Sequence, residues 1–513
     1  MSKLVAWLTE SVTFIFFGYV LRKYRKSPKF SFLLVFVLIF IQFHCLLNPI
    51  VRELLDIDPS KKKDHLKNLT LLLGLYGGPS ATITPSLGNI ILSNTEIRVV
   101  FNRSIIPDSF SANLGIQLNA VWSDTYSPND TVVLSGPIPL GTYSFVLDAT
   151  DFLGIHLAPL NGTYTVLSSN TNLYYVSPTG NNGNSGTTPG SAKLTIPAAI
   201  TASTPPAAIL VSEGNYFVDS GLGTQVNLTN NVSLYGGLSS DFLNRNSNLY
   251  ITRIVDTATA SADSIAMNAG SGITSSTVVD GFYVQGASNP NAPVASIAFN
   301  CLIGSPTITN NRLEGGVVSN AISVAIFLST SSAIISNNFI RGGTSSVTNT
   351  FGVFVQDSSS PTVVFNTIYG GIANDSAHGI YNSPHANTPM IANNTINGGS
   401  GGISYAVNTS YPSNASVTSN ILDGGTGNSS MAIYHGAGAT DVGNYQFNTL
   451  FTSGGSNRYC LYEASGSSPI SFNGNRLFSC PTALYFDEAT NPINDITTIN
   501  GGTFGGSSYS GNY

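Results

Sequence analysis

The chain has 513 residues, a formal net charge of −6 and only 9 % charged residues. With 42 % hydrophobic residues, 27 Phe and 23 Tyr, it can bury a large core, which excludes a disordered chain. No lysine follows Lys193, so no basic stripe exists to neutralise phosphates, and a nucleic-acid partner is excluded.

Residues 1–44 read as an export signal. Arg22, Lys23, Arg25, Lys26 and Lys29 form a basic n-region, and Phe30 to Phe43 is an apolar stretch shorter than a typical membrane span. Cys45 follows at once. This order resembles a bacterial lipoprotein signal of the relaxed spirochaete type. Gln42-Phe43-His44-Cys45 departs from the usual Leu-Ala-Gly-Cys box. The resemblance implies lipidation of Cys45, with export to the outer membrane or cell surface and membrane contact through the lipid. The alternatives are plain secretion and an uncleaved anchor, in which Leu46, Leu47, Pro49, Ile50 and Val51 extend the apolar run to Arg52. Residues 1–20 either precede the true translation start or form a second apolar segment interrupted by Glu10. Residues 45–78 read as a tether whose charge run, Lys61-Lys62-Lys63-Asp64, is a solvated spacer.

Residues 79–167 carry short strands between turn signals. Glu96–Phe101, Thr131–Leu134, Thr142–Leu147 and Gly162–Val166 are β-branched or alternate at period two, which predicts a β-sandwich. On the stretches Ile97–Ser104 and Leu140–Leu157 the segment resembles the bacterial Ig-like domains of surface-layer and adhesin proteins. That resemblance implies a spacer or presentation module.

The pattern changes at residue 172. Leu173–Val176 is a strand running into a Gly/Asn loop, Ala192–Ala202 a short helix, and Ala208–Tyr216 a strand and turn. This opening resembles the start of pectate-lyase-like β-helix domains. There a helix caps the first coil, which would otherwise expose apolar core. Val232–Gly237 is the next rung.

From about Leu302 the chain repeats every 27 residues or so. Asn311, Asn338, Asn366, Asn394, Asn420, Asn448 and Asn475 mark the units. Three places before each stand Ile308, Ile335, Val363, Ile391, Val417, Tyr445 and Phe472. Two places after each stand Leu313, Ile340, Ile368, Ile396, Leu422, Leu450 and Leu477. All are apolar. Gly315, Gly342, Gly370, Gly398 and Gly424 each open a Gly-Gly pair. Short β-branched strands broken by Asn and Gly at a fixed period mark a β-solenoid with a stacked asparagine column. The expected fold is all-β: an Ig-like sandwich, then a right-handed parallel β-helix over 172–513 with an N-terminal cap. About eleven rungs make a rod of about 50 Å.

A second column is Phe354, Tyr381, Tyr434, Tyr462 and Tyr485, each after an apolar residue, with Tyr405 one place out of step. If the aliphatic neighbour faces inward, these rings face out. They form either an aromatic ladder that stabilises the rod or a strip for sugar rings or a partner surface. Cys460 and Cys480 are less than one repeat apart and either pair or stay as small buried thiols beside Cys301.

Catalytic chemistry is not legible in the repeat. Arg312, Arg341, Arg458 and Arg476 read as scattered, and Asp357, Asp375, Asp423 and Asp441 do not fall at equivalent rung positions. Ala377-His378-Gly379-Ile380 resembles the Gly-His-Gly-Ile motif of polygalacturonases. The paired-aspartate and Arg-Ile-Lys motifs of that family are absent, so His378 reads as a turn residue. No zinc spacing, phosphate loop or nucleophile elbow occurs, so no catalytic, cofactor-binding or metal-binding residue is assigned. The expected function is a non-enzymatic surface lipoprotein whose rod binds polysaccharide or a host or matrix protein. The alternatives are a divergent carbohydrate-active enzyme, either polysaccharide lyase or hydrolase, and a purely structural envelope protein. The enzyme reading requires carboxylates that converge with an arginine on one face. Oligomeric state is not assigned.

Overall fold

The computed structural model describes residues 78–513 apart from 260–262, 289–294, 411, 437–441, 467 and 505. The export signal, Cys45 and the tether up to residue 77 lie outside the described residues.

Two four-stranded sheets form the N-terminal unit. One orders Ala81–Thr84, Ile97–Phe101, Thr131–Ser135 and Asn119–Ser123; the other orders Ile90–Leu92, Leu160–Leu167, Gly141–Asp148 and Ser111–Asn113. Their inward residues, among them Ile97, Val99, Phe101, Val132, Phe145 and Tyr164, share one core. Ile90–Leu92 runs parallel to Leu160–Leu167, while the other pairs are antiparallel.

A parallel β-solenoid follows, with three long sheets of 11, 10 and 11 strands. At about 4.8 Å between strands, eleven strands span about 50 Å. One turn shows the plan. Thr362–Val364 belongs to the first sheet, Thr367–Tyr369 to the second and Ser376–Asn382 to the third. The helix Ile196–Ala202 closes the first coil, with Thr195 as its N-cap and Ile196, Ala199 and Ile200 buried. It begins four residues later than the sequence suggests, because Pro197 suits only the first turn of a helix.

The marker asparagines sit at the bend between the first and second sheets and are buried. In each, the side-chain oxygen accepts from the backbone N–H and the side-chain amide of the asparagine one rung earlier. For Asn366 and Asn394 these distances are 2.8 and 3.0 Å. The amide also donates to a first-sheet carbonyl, as Asn394 does to Val363 at 2.8 Å. The column begins at Asn311, which accepts from the N–H of Phe282, and ends at Asn512, which accepts from Asn475. The apolar residues three before and two after each marker line the core; Ile308, Ile335, Val363 and Ile391 have no exposure at all.

The marker asparagine does not itself take the left-handed backbone. The residue before it does: Asn310, Asn337, Phe365, Asn393, Ser419 and Phe447, with φ of 54–58°. This seat turns the chain so that the marker points inward. A Cβ on Gly370 would lie 2.2 Å from the Gly398 carbonyl, so the first glycine of each pair is demanded by close approach of successive rungs. At the bend between the third and first sheets a second, shorter ladder runs Ser331, Ser359, Asn387, Ser413.

The early turns are irregular. Asn231 and Thr277, bonded on adjacent rungs, are 46 residues apart, against 26–28 along the asparagine column. The extra length forms a loop between the strands Val232–Leu238 and Thr252–Asp256. Ser86 and Asn89 of the sandwich both donate to Leu243 of this loop, at 2.8 and 3.0 Å. Ile90 packs with Leu238 and Phe242 in a core shared by the two units.

Two outcomes test this account. Asn394→Ala orphans the donors of Asn366 and the Val363 carbonyl, and should lower unfolding stability by about 2–4 kcal/mol in denaturant titration. Phe365→Asn relieves a bulky exposed residue in the left-handed seat and should raise stability by about 1 kcal/mol.

Candidate active site

On the second sheet, Asn215, Arg253, Tyr283, Arg312 and Phe339 stand in register on five successive strands. Their neighbours Ile254, Val284, Leu313 and Ile340 are fully buried, so strand alternation turns the polar column outward. The column is an alternating stack of cations and rings. The guanidinium groups of Arg253 and Arg312 each lie 4.8 Å from the Tyr283 ring centre, one from each neighbouring rung, and Arg312 also lies 5.3 Å from that of Phe339.

Beside it runs a second outward column, Gln285, Glu314 and Arg341. The Tyr283 hydroxyl donates to Glu314 at 2.6 Å, and Arg312 donates to the other oxygen of the same carboxylate at 2.6 and 3.0 Å. Arg253 donates to Gln285, and its Nε has no partner among the described residues. Asn215, Arg253, Tyr283, Arg312 and Phe339 floor a cleft of about 910 Å³, with Glu314 beside it and bonded to two of them. Ser247, Leu249 and Ile251 of the long loop form one wall, and Glu213 is the carboxylate in the lining.

Burial, and then the bond to Glu314, raise the pKa of Tyr283, so the phenol stays protonated. Burial works against the charge of Arg312, but its bonds to Glu314 prevail and hold the guanidinium protonated. The Glu314 side chain is 11 % exposed and that of Arg312 54 %, so the carboxylate is held in place while the cation reaches into the cleft. Such a set can hold an anionic group, accept a proton at Glu314 and donate one from Tyr283.

The sequence shows Arg312 only as one of several scattered arginines and does not reveal its company. Tyr283 and Arg253 are one and two rungs upstream of it, at the same outward position, in turns too irregular to join the counted repeat. Extending the repeat backward from Asn311 one rung at a time would have brought them together.

No family model and no curated protein matches this chain. A solved structure to which it is similar is that of a family 28 exopolygalacturonase from Yersinia enterocolitica. The identity is 12 %, over 78 % of this chain and 79 % of that one, with a TM-score of 0.31. The expectation of a non-enzymatic binding rod is corrected on the geometry of the second sheet: Arg312, read as scattered, stands on one face with Arg253, Tyr283 and Glu314. The reading below rests on the cleft and not on this likeness.

The other predicted residues have other places. His378 is not in a turn. It lies in the third-sheet strand Ser376–Asn382, buried between the rings of Phe351 and Tyr405 at 4.9 and 4.7 Å. Burial pulls its pKa down to about 3, so it is neutral. Phe354, Tyr381, Tyr434 and Tyr462 align on the outer surface of that sheet, and Phe486 completes the column. Tyr485 does not belong to it. Its register partner is the core residue Leu461, and it is fully buried. Tyr434 and Tyr462 stack at 19° and 5.6 Å, so their faces cover each other. Cys460 and Cys480 form a disulfide, and Cys301 is a buried free thiol. Asp357 pairs with His385 at 3.7 Å, and Asp423 accepts from Asn397, Gly425 and Ser453. Asp441 lies outside the described residues.

Inside the solenoid an inward column changes from Val355 to Asn382, Thr409, His435 and Glu463. Glu463 is fully buried and accepts from Tyr485 and from Ser468, the latter at 2.8 Å. Burial raises its pKa to about 7. Because the fold favours the protonated acid, it contributes about 3 kcal/mol of stability at low pH. That contribution is complete below the usual carboxylate range and is lost as the pH rises through 7. Thermal melts across this range should show the decline, and Glu463→Gln should flatten it.

Proposed function

We propose that the chain is a carbohydrate-active enzyme that cleaves an anionic polysaccharide in the second-sheet cleft. The observation that carries this reading is the convergence of Arg253, Tyr283 and Arg312 on one floor, with Glu314 bonded to the last two. β-Elimination is the reaction the set suits best. A guanidinium that neutralises a sugar carboxylate makes the adjacent C–H more acidic. Tyr283 takes that proton as it passes its own to Glu314, the bond from the neighbouring carbon to the glycosidic oxygen breaks, and Tyr283 then protonates the leaving oxygen. The proton on Glu314 returns to Tyr283 along their 2.6 Å hydrogen bond, which restores both groups. Hydrolysis is the second reading, favoured by one observation: Glu213 lines the cleft, and with Glu314 beside it would make the pair of carboxylates that hydrolysis requires.

The Cys460–Cys480 disulfide supports export, because such bonds persist in oxidising compartments. With the signal-like N-terminus it fits an enzyme outside the cytoplasm, tethered by a lipid on Cys45. In this reading the N-terminal sandwich is an Ig-like module that holds the solenoid away from the membrane. Mass spectrometry of the mature N-terminus tests the lipid.

The activity is tested by incubating the full chain with polygalacturonate, alginate, chondroitin sulfate and a neutral glucan. New reducing ends and the ultraviolet absorbance of an unsaturated uronate are followed. Elimination gives both signals, and hydrolysis gives only the first. Glu314→Gln should lower kcat by about 100-fold or more, and Arg253→Ala should raise KM by about tenfold. No product from any anionic chain, or an unaltered kcat in Glu314→Gln, overturns the proposal.

A further inference from the structure

We infer that the cleft continues into a second sugar subsite, built jointly by the N-terminal sandwich and the solenoid. The inference rests on the cleavage reading above and extends it to how the chain is held. Next to the main cleft lies a cavity of about 420 Å³. Leu87, Gly88, Gly162 and Thr163 of the sandwich line one side, and Arg245 and Asp280 of the solenoid line the other. Ser247 and Asn310 belong to the walls of both cavities, so the two adjoin.

The walls are fixed. Arg245 donates to Asp280 at 2.8 Å and to the Gly236 carbonyl at 2.9 Å, and Asn310 donates to the same Asp280 oxygen at 3.2 Å. The Arg245 and Asp280 side chains are 11 % and 7 % exposed. On the facing side, the sandwich is brought up against the loop by a backbone only glycine allows. Gly88 has φ of +88°, and a Cβ there would lie 2.5 Å from the Arg245 carbonyl. The bonds from Ser86 and Asn89 to Leu243 hold this approach.

Charge separates the two halves. In the main cleft Arg253 is bonded to a neutral amide, and Arg312, though paired with Glu314, is half-exposed and reaches outward. In the second cavity Arg245 is matched by Asp280. The first half suits sugar carboxylates. The second half suits ring hydroxyls, which a rigid pair of opposite charges, Ser247 and Thr163 can meet as donors and acceptors. The ligand is therefore the next residues of the same polysaccharide chain, held by their hydroxyls. The sandwich becomes part of the substrate site as well as a spacer.

Thr163 is exposed and its side chain is outside the sandwich core, so it can be enlarged without disturbing the fold. The test compares full-length wild type, Thr163→Tyr and Thr163→Ser on oligogalacturonate and oligoalginate fractions from dimer to octamer. Thr163→Tyr should raise KM by about tenfold for the longer fractions and leave the shortest cleaved fraction unchanged. Thr163→Ser should match wild type throughout. Equal KM for Thr163→Tyr and wild type at every length overturns the subsite and leaves the activity standing. A wild type that cleaves no fraction overturns both.

Discussion

A buried asparagine side chain that gives both polar ends to neighbouring rungs is the constraint on which the solenoid depends. Each amide meets a backbone carbonyl and the next asparagine, while its oxygen takes the donors of the rung before. A bend that enters the core would otherwise leave backbone groups unpaired, at a cost of about 1–3 kcal/mol each. Because the markers are locked in register, the residue after each one emerges at the same point on the second sheet. Arg312 follows Asn311, the first member of the column, and Asn311 in turn holds the N–H of Phe282, next to Tyr283. The cleft therefore inherits its alignment from the ladder.

Regular and irregular rungs divide the work. Where spacing is constant, the residues are consumed by stacking: asparagine at the bend, glycine at the close approach, and rings laid on rings along the third sheet. Where spacing breaks, side chains are free to face a cavity. The long loop before Thr252 does two things at once. It walls the cleft and gives the sandwich something to bind. A solenoid gains a site by interrupting its own period, since insertions in a repeat are confined to one face.

This division explains what could be read from the sequence. The repeat from residue 302 onward was legible because asparagine and its two apolar partners keep one spacing through many rungs. Asn512 escaped because the helix Ile496–Gly501 and a short hairpin lengthen the last interval to 37 residues. Tyr485 was misassigned because alternation along a single strand does not reveal a slip of one residue; Phe486 takes the outward place. His378 was read as a turn residue because the companion motifs are absent, yet it lies in a strand that carries an extra residue there. His378 and Tyr381 both face outward as a result. The cleft itself was hidden for a simpler reason. Its members come from three turns of unequal length, and side-chain convergence across rungs has no signature in a linear pattern.

The ladder also has a direction, since every oxygen points to the rung before and every N–H to the rung after. A stack of this kind has two unequal open ends, each able to recruit further strands. Here both are blocked. The helix Ile196–Ala202 lies across the first coil. At the far end the chain reverses, with Asn491–Ile493 pairing antiparallel and residues 510–513 returning to bond Gly474, Asn475 and Leu477. A template that could propagate from molecule to molecule is thus closed on itself, and the repeat that gives the protein its length does not become a seed for fibres.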